Sequence, residues 1–174
     1  MNKIQQDVRV AIVGSGFAGL GMAIRLREAG IEDFVVLERA HDVGGTWRDN
    51  SYPGCACDVP SHLYSFSFAP NPEWTSTFSP QPEILDYLRG CAQRYGVMPH
   101  IRLGHELLDA SWDEDVQRWR LQTSRGDLTA QVLVLGTGPL SAPAIPDLPG
   151  RSRARPSTTR RGTTSTTSPA SAWP

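Results

Sequence analysis

The sequence is poor in the features that build disulfide frameworks, metal sites and membrane spans. Its 174 residues include three cysteines, Cys55, Cys57 and Cys91, an odd number without the paired spacing of a zinc site. The four histidines are scattered and share no ligand spacing, so no metal site is predicted. No apolar run reaches membrane-spanning length, and residues 1–6 lack the basic start and apolar core of a signal peptide. These absences predict a soluble, cytoplasmic protein with reduced thiols.

An excess of charge of either sign is also missing from the chain as a whole. The formal net charge is −1 at pH 7 and the pI is about 6.4, which gives no field that would gather nucleic acid or a membrane surface. Residues 150–174, however, hold five of the 17 basic residues and none of the 18 acidic ones. The length suits one domain with a buried core, followed by this basic tail.

The motif that organises the chain is a short apolar strand that runs into GxGxxG and then into a helical pattern. The strand covers residues 8–13, and the glycines are Gly14, Gly16 and Gly19. In such a segment the first glycine makes the tight turn, the second lets the backbone approach a pyrophosphate, and the third lets helix and strand pack closely. The pyrophosphate then lies at the helix N-terminus, where free N–H groups and the helix dipole favour an anion.

A second apolar strand, residues 34–37, ends in Glu38, about twenty residues beyond the glycines. A carboxylate at this position accepts hydrogen bonds from ribose hydroxyls and repels a 2′-phosphate. We therefore expect the adenosine of FAD or NAD rather than that of NADP. The alternative is a βαβ unit that binds no nucleotide, and it is disfavoured because strand, glycines, helix, second strand and acid are all in register.

The remaining periodicity completes an α/β fold. Residues 81–95 read as a helix with Pro82 in its first turn. Residues 107–112, 119–123 and 128–134 alternate as three strands of a meander, and the apolar run 132–135 returns the chain to the sheet. The prediction is a Rossmann-like domain with a parallel sheet and a three-stranded β-meander.

The loops between residues 40 and 84 contain a series of motifs in a fixed order. They are Gly44-Gly45-Thr46-Trp47, Asn50, Tyr52-Pro53-Gly54, Asp58, Pro60-Ser61, Tyr64, Ser67-Phe68, Trp74, Phe78-Ser79, Gln81, Glu83 and Ile84. In this order they resemble the N-terminal part of class B flavin monooxygenases. The similarity is closest to the Baeyer–Villiger monooxygenases, with flavin-containing monooxygenases as near relatives. It covers about residues 8–150 and implies a Rossmann-like FAD-binding domain.

The resemblance also implies roles for individual residues. FAD would be held by Gly14, Gly16, Gly19 and Glu38, with Gly45, Thr46, Trp47, Asp58 and Tyr64 around the flavin and Leu107 and Gly138 completing the site. Leu107 would touch the adenine, or else be a plain core leucine. Gly138 is the last residue of the segment 132–138, which in the family closes the first part of the flavin domain. At Gly136 the family more often has alanine.

Asp58 is the one candidate catalytic residue. By resemblance it lies near the flavin and helps to place an arginine from a later domain. The alternative is a residue that only stabilises a turn through its own side chain.

The resemblance stops after Gly150. The family would continue with a histidine, a tryptophan four residues later and a second GxGxxG for NADPH, whereas nine of the twelve residues 157–168 are Ser or Thr. Such a tail, residues 151–174, is predicted to be disordered. When residues 157–174 are encoded in GC-rich codons and translated from the third base, they begin His-Asp-Ala-Ala-Trp, which indicates a frame-shifted tail.

The functional expectation is therefore an incomplete FAD-binding domain, residues 1–150, of an NADPH-dependent monooxygenase that inserts oxygen into ketones or oxidises heteroatoms. Its expected ligand is FAD, with a small-molecule substrate for the full-length family and no nucleic-acid or membrane partner. The NADPH site of that family is expected to be absent here, and the chain to be inactive by itself. Two alternatives stay open: a non-catalytic FAD-binding remnant, and another FAD- or NAD-dependent oxidoreductase.

Overall fold

A computed structural model describes residues 6–141 as one six-stranded sheet with helices. The strands are β1 (Gln6–Val13), β2 (Phe34–Glu38), β3 (Ile101–Leu103), β4 (Leu107–Asp113), β5 (Arg118–Thr123) and β6 (Leu128–Leu135). The helices are α1 (Phe17–Glu28), α2 (Thr46–Asp49) and α3 (Gln81–Arg94), with 3₁₀ turns at Ser61–Leu63 and Met98–His100. The domain boundary at residue 150 and the tail at 151–174 lie outside the described residues.

The strand order is β3-β2-β1-β6-β5-β4. The four strands β3, β2, β1 and β6 run parallel, whereas β5 and β4 are antiparallel and form the meander with the first half of β6. The predicted α/β class, parallel sheet and meander are thus confirmed. Val13, the last residue of β1, pairs with Leu37 on one side and Leu135 on the other. The carboxyl ends of β1, β2 and β6 therefore meet at one edge of the sheet, the edge at which such folds bind ligands.

Alternate residues of the central strands face two different layers. Ile12 and Val36 are fully buried against the helical layer, which contributes Ile24 and Leu88. Their neighbours point to the opposite face and pack with the meander, in a cluster that consists of Val8, Ala11, Val35, Leu37, Leu121, Leu128 and Ala130. Strand β2 is covered on both faces, and this explains the continuous apolar run at residues 34–37.

The two long helices begin and end where their sequences indicate. Helix α1 starts directly after Gly16, and its C-terminus is followed by Gly30 at φ +73°, a left-handed conformation that favours glycine. Helix α3 ends at Arg94, one residue before the predicted end. None of the helices among residues 6–141 is long and apolar enough to cross a membrane.

The chain between α2 and α3 is irregular, and a buried serine holds it in place. The Ser61 hydroxyl lies 2.8 Å from the Ser76 carbonyl oxygen and accepts hydrogen bonds from the Ser79 N–H and hydroxyl, both at 2.7 Å. Ser61 and Ser79 are both buried, so these bonds satisfy polar groups that water cannot reach. The segment is thereby fixed against the start of α3.

Helix α1 lies so close to the turn after β1 that a side chain cannot be accommodated. A Cβ built on Gly19 would lie 1.8 Å from the carbonyl oxygen of Gly14 and 3.5 Å from the Ile12 side chain. Gly90, in α3, offers the opposite case, since a Cβ there meets no atom within 4 Å. The third glycine of the motif is therefore a packing residue.

We predict that Gly19→Ala lowers the free energy of unfolding by about 2 kcal/mol or more, because backbone atoms must move apart. Urea denaturation followed by circular dichroism measures this. The matched control, Gly90→Ala, should be neutral or stabilising by up to about 1 kcal/mol, since alanine is the better helix former. Equal effects of the two substitutions would contradict the packing role of Gly19.

Candidate cofactor site

A cavity of about 480 Å³ lies at the carboxyl ends of β1, β2 and β6. Its wall is formed by the glycine loop 13–18, the end of β2 at 37–39, the segment 44–49, the start of the meander at 105–107 and the segment 136–141, with Tyr64. This volume lies in the range of sites for small molecules and cofactors. It is also where the first turn of α1 exposes free N–H groups.

The first wall of the cavity is the glycine turn after β1. Gly14 has φ +93°, and its N–H donates a hydrogen bond of 2.8 Å to the Leu37 carbonyl oxygen of β2. A Cβ on Gly14 would lie 2.6 Å from the Gly136 carbonyl oxygen, and one on Gly136 would lie 2.9 Å from the Gly19 nitrogen. Gly136 is thus packed against backbone on the side of α1.

The second wall is the Gly44-Gly45 turn, which packs backbone to backbone against the first. The Gly44 N–H donates to the Ser15 carbonyl oxygen at 2.9 Å, and Gly45 has φ +53°. A Cβ on Gly45 would lie 3.0 Å from the Gly16 Cα. By contrast, a Cβ on Gly16 would meet its nearest atom, the Gly45 Cα, at 3.6 Å, so the protein itself leaves room there. Gly16 and Gly45 both line the cavity, so a ligand there meets backbone and no side chain at these two positions.

Glu38 is buried at the end of β2 and both of its oxygens are bonded. Oε2 accepts hydrogen bonds from the Ser15 N–H at 3.0 Å and the Ser15 hydroxyl at 2.7 Å. Oε1 accepts from the Ala40 N–H at 2.9 Å and lies 3.1 Å from Nη1 of Arg48. The carboxylate therefore ties the glycine turn to α2 while lining the cavity.

Arg48 is a charged residue of the cavity wall that sequence reasoning missed. Its Nη1 also donates to the Asp42 carbonyl oxygen at 2.7 Å, and its Nε donates to Asp49 at 2.9 Å. The side chain is 14% exposed, and that of Glu38 is 5% exposed, so the ion pair is largely shielded from water. The position directly after Trp47 in the loop motif was the only signal available, because charge pairs between distant segments leave no periodicity.

Aromatic side chains line the far end of the cavity. The indole Nε1 of Trp47 donates to the Tyr64 hydroxyl at 3.1 Å, and the Tyr64 ring stands edge-on to Trp47 and to Phe17. The Gln81 side-chain amide donates to the Trp47 carbonyl oxygen, which links this end to α3. Burial raises the pKa of the Tyr64 phenol, the hydrogen bond from Trp47 offsets part of this rise, and electrostatic interactions with Cys57 and Asp58 raise it further.

His105 joins the cavity to the meander. Its backbone N–H donates to the Glu38 carbonyl oxygen at 2.8 Å, and its Nε2 lies 2.8 Å from the Thr123 hydroxyl. That hydroxyl donates its single proton to the Gly126 carbonyl oxygen, so it accepts at His105 and Nε2 carries the proton. Burial lowers the pKa of His105, and the charges of Arg102 and Arg125 lower it further.

Nine of the predicted site residues line this one cavity. They are Gly14, Gly16, Glu38, Gly45, Thr46, Trp47, Tyr64, Leu107 and Gly138. Gly19 lies behind the turn as a packing residue, and Asp58 is exposed, close enough to affect Tyr64 but outside the cavity lining. Among the described residues, no group of three or more His, Cys, Asp or Glu is arranged to hold a metal ion.

The glycine turn, the buried acid at the end of β2 and the cavity between them define a Rossmann-like dinucleotide-binding domain. In agreement, the model of the NAD(P)-binding Rossmann-like domain family matches residues 12–80. A Baeyer–Villiger monooxygenase of Streptomyces coelicolor is 62% identical over 148 residues, which are 85% of this chain and 28% of the relative. The chain is a homologue of the Baeyer–Villiger monooxygenases and matches their N-terminal part.

Solved structures show the same relationship. Cyclohexanone monooxygenase from Rhodococcus sp. Phi1 bound to NADP⁺ matches with a TM-score of 0.78 at 36% identity, over 84% of this chain and 28% of that one. The complex of OTEMO with FAD and NADP matches with a TM-score of 0.76 at 32% identity, over 82% of this chain and 28% of that one. The chain thus spans just over a quarter of the length of the relatives it matches.

The lowered pKa of His105 predicts a pH dependence of stability. The unfolded chain takes up a proton on this histidine at a higher pH than the folded chain does, so the free energy of unfolding should fall as the pH drops below about 6.5. In His105→Asn this contribution is absent, and the decline between about pH 7 and pH 5.5 should be smaller. Urea titrations of both proteins across this range measure it. Parallel curves for the two proteins would contradict the prediction.

Proposed function

We propose that this chain binds FAD and is the N-terminal part of the cofactor domain of a flavin monooxygenase. The observation that carries the proposal is the cavity between two glycine turns, with room beside Gly16 and the buried Glu38 at one end. A cradle of this kind fits a pyrophosphate, because backbone N–H groups can approach it without intervening side chains. Homology to monooxygenases, one of them solved with FAD and NADP, supports the same assignment.

Different residues of the cavity would contact different parts of FAD. The turn at Gly14 and Gly16 and the N-terminus of α1 would hold the pyrophosphate, and Glu38 would accept hydrogen bonds from the adenosine ribose. Leu107 would contact the adenine. Gly45, Thr46, Trp47 and Tyr64 would lie towards the flavin, and Gly138 would complete the wall.

Bound FAD would supply the redox chemistry, taking electrons from NADPH and activating oxygen for transfer to a small ketone or to a heteroatom. This chain's own residues would bind and orient the cofactor. The aromatic end at Phe17, Trp47 and Tyr64 would keep water away from it. Asp58 is exposed and precedes Tyr64 by six residues in the chain, and it would position an arginine of a later region rather than transfer a proton itself.

A second candidate function is a nicotinamide dinucleotide site of another oxidoreductase. The matching family model is of the NAD(P)-binding Rossmann-like type, and a buried acid at the end of β2 also suits NAD. FAD is the better fit because the cavity extends past the glycine turn to Thr46, Trp47 and Tyr64, a wall that a flavin would use. A non-catalytic FAD-binding remnant shares this site and differs only in turnover.

We predict that Gly16→Val weakens FAD binding at least about tenfold, which equals about 1.4 kcal/mol. The Cβ finds room in the protein, so the loss comes from the branched methyl groups that intrude on the pyrophosphate. Quenching of FAD fluorescence by purified protein measures the dissociation constant. Gly90→Val is the matched control, because a Cβ there meets no atom within 4 Å, and its affinity should match the wild type. Unchanged affinity in folded Gly16→Val would argue against the site, and tight NAD binding without FAD binding would favour the second candidate.

We also expect the 174-residue chain to lack NADPH oxidation above background. The Streptomyces coelicolor relative is matched over only 28% of its length, and the sequence carries one GxGxxG segment, which the FAD would occupy. Absorbance at 340 nm, with FAD and a ketone or sulfide added, measures turnover. The full-length Baeyer–Villiger monooxygenase of Streptomyces coelicolor is the comparison, and it should oxidise NADPH. Turnover by the 174-residue chain with oxidised product would overturn this expectation.

A further inference from the structure

We infer that Arg48 is a specificity-determining residue of the nucleotide site: its charge weakens the discrimination that Glu38 exerts against a 2′-phosphate, and its ion pair with Glu38 keeps it from binding that phosphate itself. The inference rests on the proposed dinucleotide site and assigns the residue that completes its ribose end. It follows from the contact between two buried charges that face one cavity.

The guanidinium of Arg48 lies next to the Glu38 carboxylate, which would accept hydrogen bonds from the ribose. Nη1 of Arg48 lies 3.1 Å from Oε1 of Glu38, and both side chains line the cavity. Any group that reaches the Glu38 carboxylate from the cavity is therefore close to this guanidinium. Guanidinium groups bind phosphate well, because their planar N–H donors match its oxygens.

Glu38 blocks that use of Arg48 in two ways. Its negative charge repels a phosphate, and its Oε1 forms an ion pair with Nη1 of the guanidinium, which a phosphate would have to displace. The other carboxylate oxygen is bonded to Ser15, so Glu38 cannot swing away without breaking two further hydrogen bonds. Discrimination against the 2′-phosphate thus comes from a repulsive element that is held in place, while the cation that could accept the phosphate remains beside it.

Two other charged residues of the cavity, Asp49 and Arg39, serve as references for the Glu38–Arg48 pair. Asp49 pairs with Nε of Arg48 at 2.9 Å, and a substitution at Glu38 does not remove this partner. Arg39 also lines the cavity, but its Nη2 donates to the Ser141 carbonyl oxygen at 2.6 Å, and no ion pair joins it to Glu38 among the described residues. Arg39 is thus a cation of the same cavity that lacks the Glu38 contact.

A merely structural role of Arg48 makes a different prediction. Arg48 also ties α2 to the Asp42 carbonyl oxygen at 2.7 Å, so its loss could loosen the loop. Loosening would weaken every adenosine ligand alike. The ratio of two affinities, for ligands that differ only in the 2′-phosphate, removes that common loss.

The test measures the dissociation constants of ADP-ribose and 2′-phospho-ADP-ribose by displacement of FAD from the full 174-residue chain. In the wild type we expect ADP-ribose to bind more tightly. The quantity compared is the dissociation constant of 2′-phospho-ADP-ribose divided by that of ADP-ribose. Glu38→Gln should lower this ratio at least about tenfold, because the amide keeps the shape of the side chain and loses its charge. Arg48→Met should raise the same ratio several-fold, because the carboxylate is no longer neutralised, and Arg48→Lys should stay near the wild-type ratio.

Double variants identify the cation. The lowering of the ratio by Glu38→Gln should disappear in the double variant Glu38→Gln/Arg48→Met. It should persist in Glu38→Gln/Arg39→Met. The reverse pattern would assign the phosphate to Arg39 and overturn the inference, as would a ratio unchanged in Arg48→Met. If Glu38→Gln does not fold by circular dichroism, the ratio in Arg48→Met decides alone. Failure of the wild type to bind FAD would refute the proposed function, whereas FAD binding with unchanged ratios refutes only the role of Arg48.

Discussion

Direct contact between backbones at the ends of β1 and β6 is the constraint on which the site depends. Three glycines meet there: a Cβ on Gly19 would lie 1.8 Å from Gly14, one on Gly14 would lie 2.6 Å from Gly136, and one on Gly136 would lie 2.9 Å from Gly19. Because no side chain separates them, α1 starts directly at the sheet edge. The cavity can then be lined by free N–H groups of the helix instead of by side chains.

The buried carboxylate of Glu38 connects this turn to the second wall. It accepts hydrogen bonds from Ser15 and Ala40 and pairs with Arg48, so a single side chain holds the glycine turn, the end of β2 and α2 together. A buried acid is costly unless it is paired and hydrogen-bonded, and here both conditions hold. One group thus maintains the shape of the site and presents the charge that would select its ligand.

The irregular segment between α2 and α3 has no helix or strand period, but the order of its motifs indicated the family. Its order of motifs was enough to indicate flavin monooxygenases, and the homology to Baeyer–Villiger monooxygenases confirms that resemblance. In the structure this segment is fixed by polar contacts such as those of Ser61 and by the bond from Gln81 to Trp47. Loops of this kind support function because the sheet and helices beneath them are rigid.

The sequence by itself determined the fold class, the meander and at least one residue in each segment of the cavity wall. Strand and helix periods, the glycine spacing and the acid at position 38 are local signals, and each depends on residues close together in the chain. The tertiary structure decided the rest. That Gly19 packs behind the turn, that Asp58 lies outside the cavity lining and that Arg48 pairs with Glu38 all depend on which distant segments meet. Such contacts arise only when the sheet closes, because burial and the pairing of charges are properties of the folded chain and not of its local pattern.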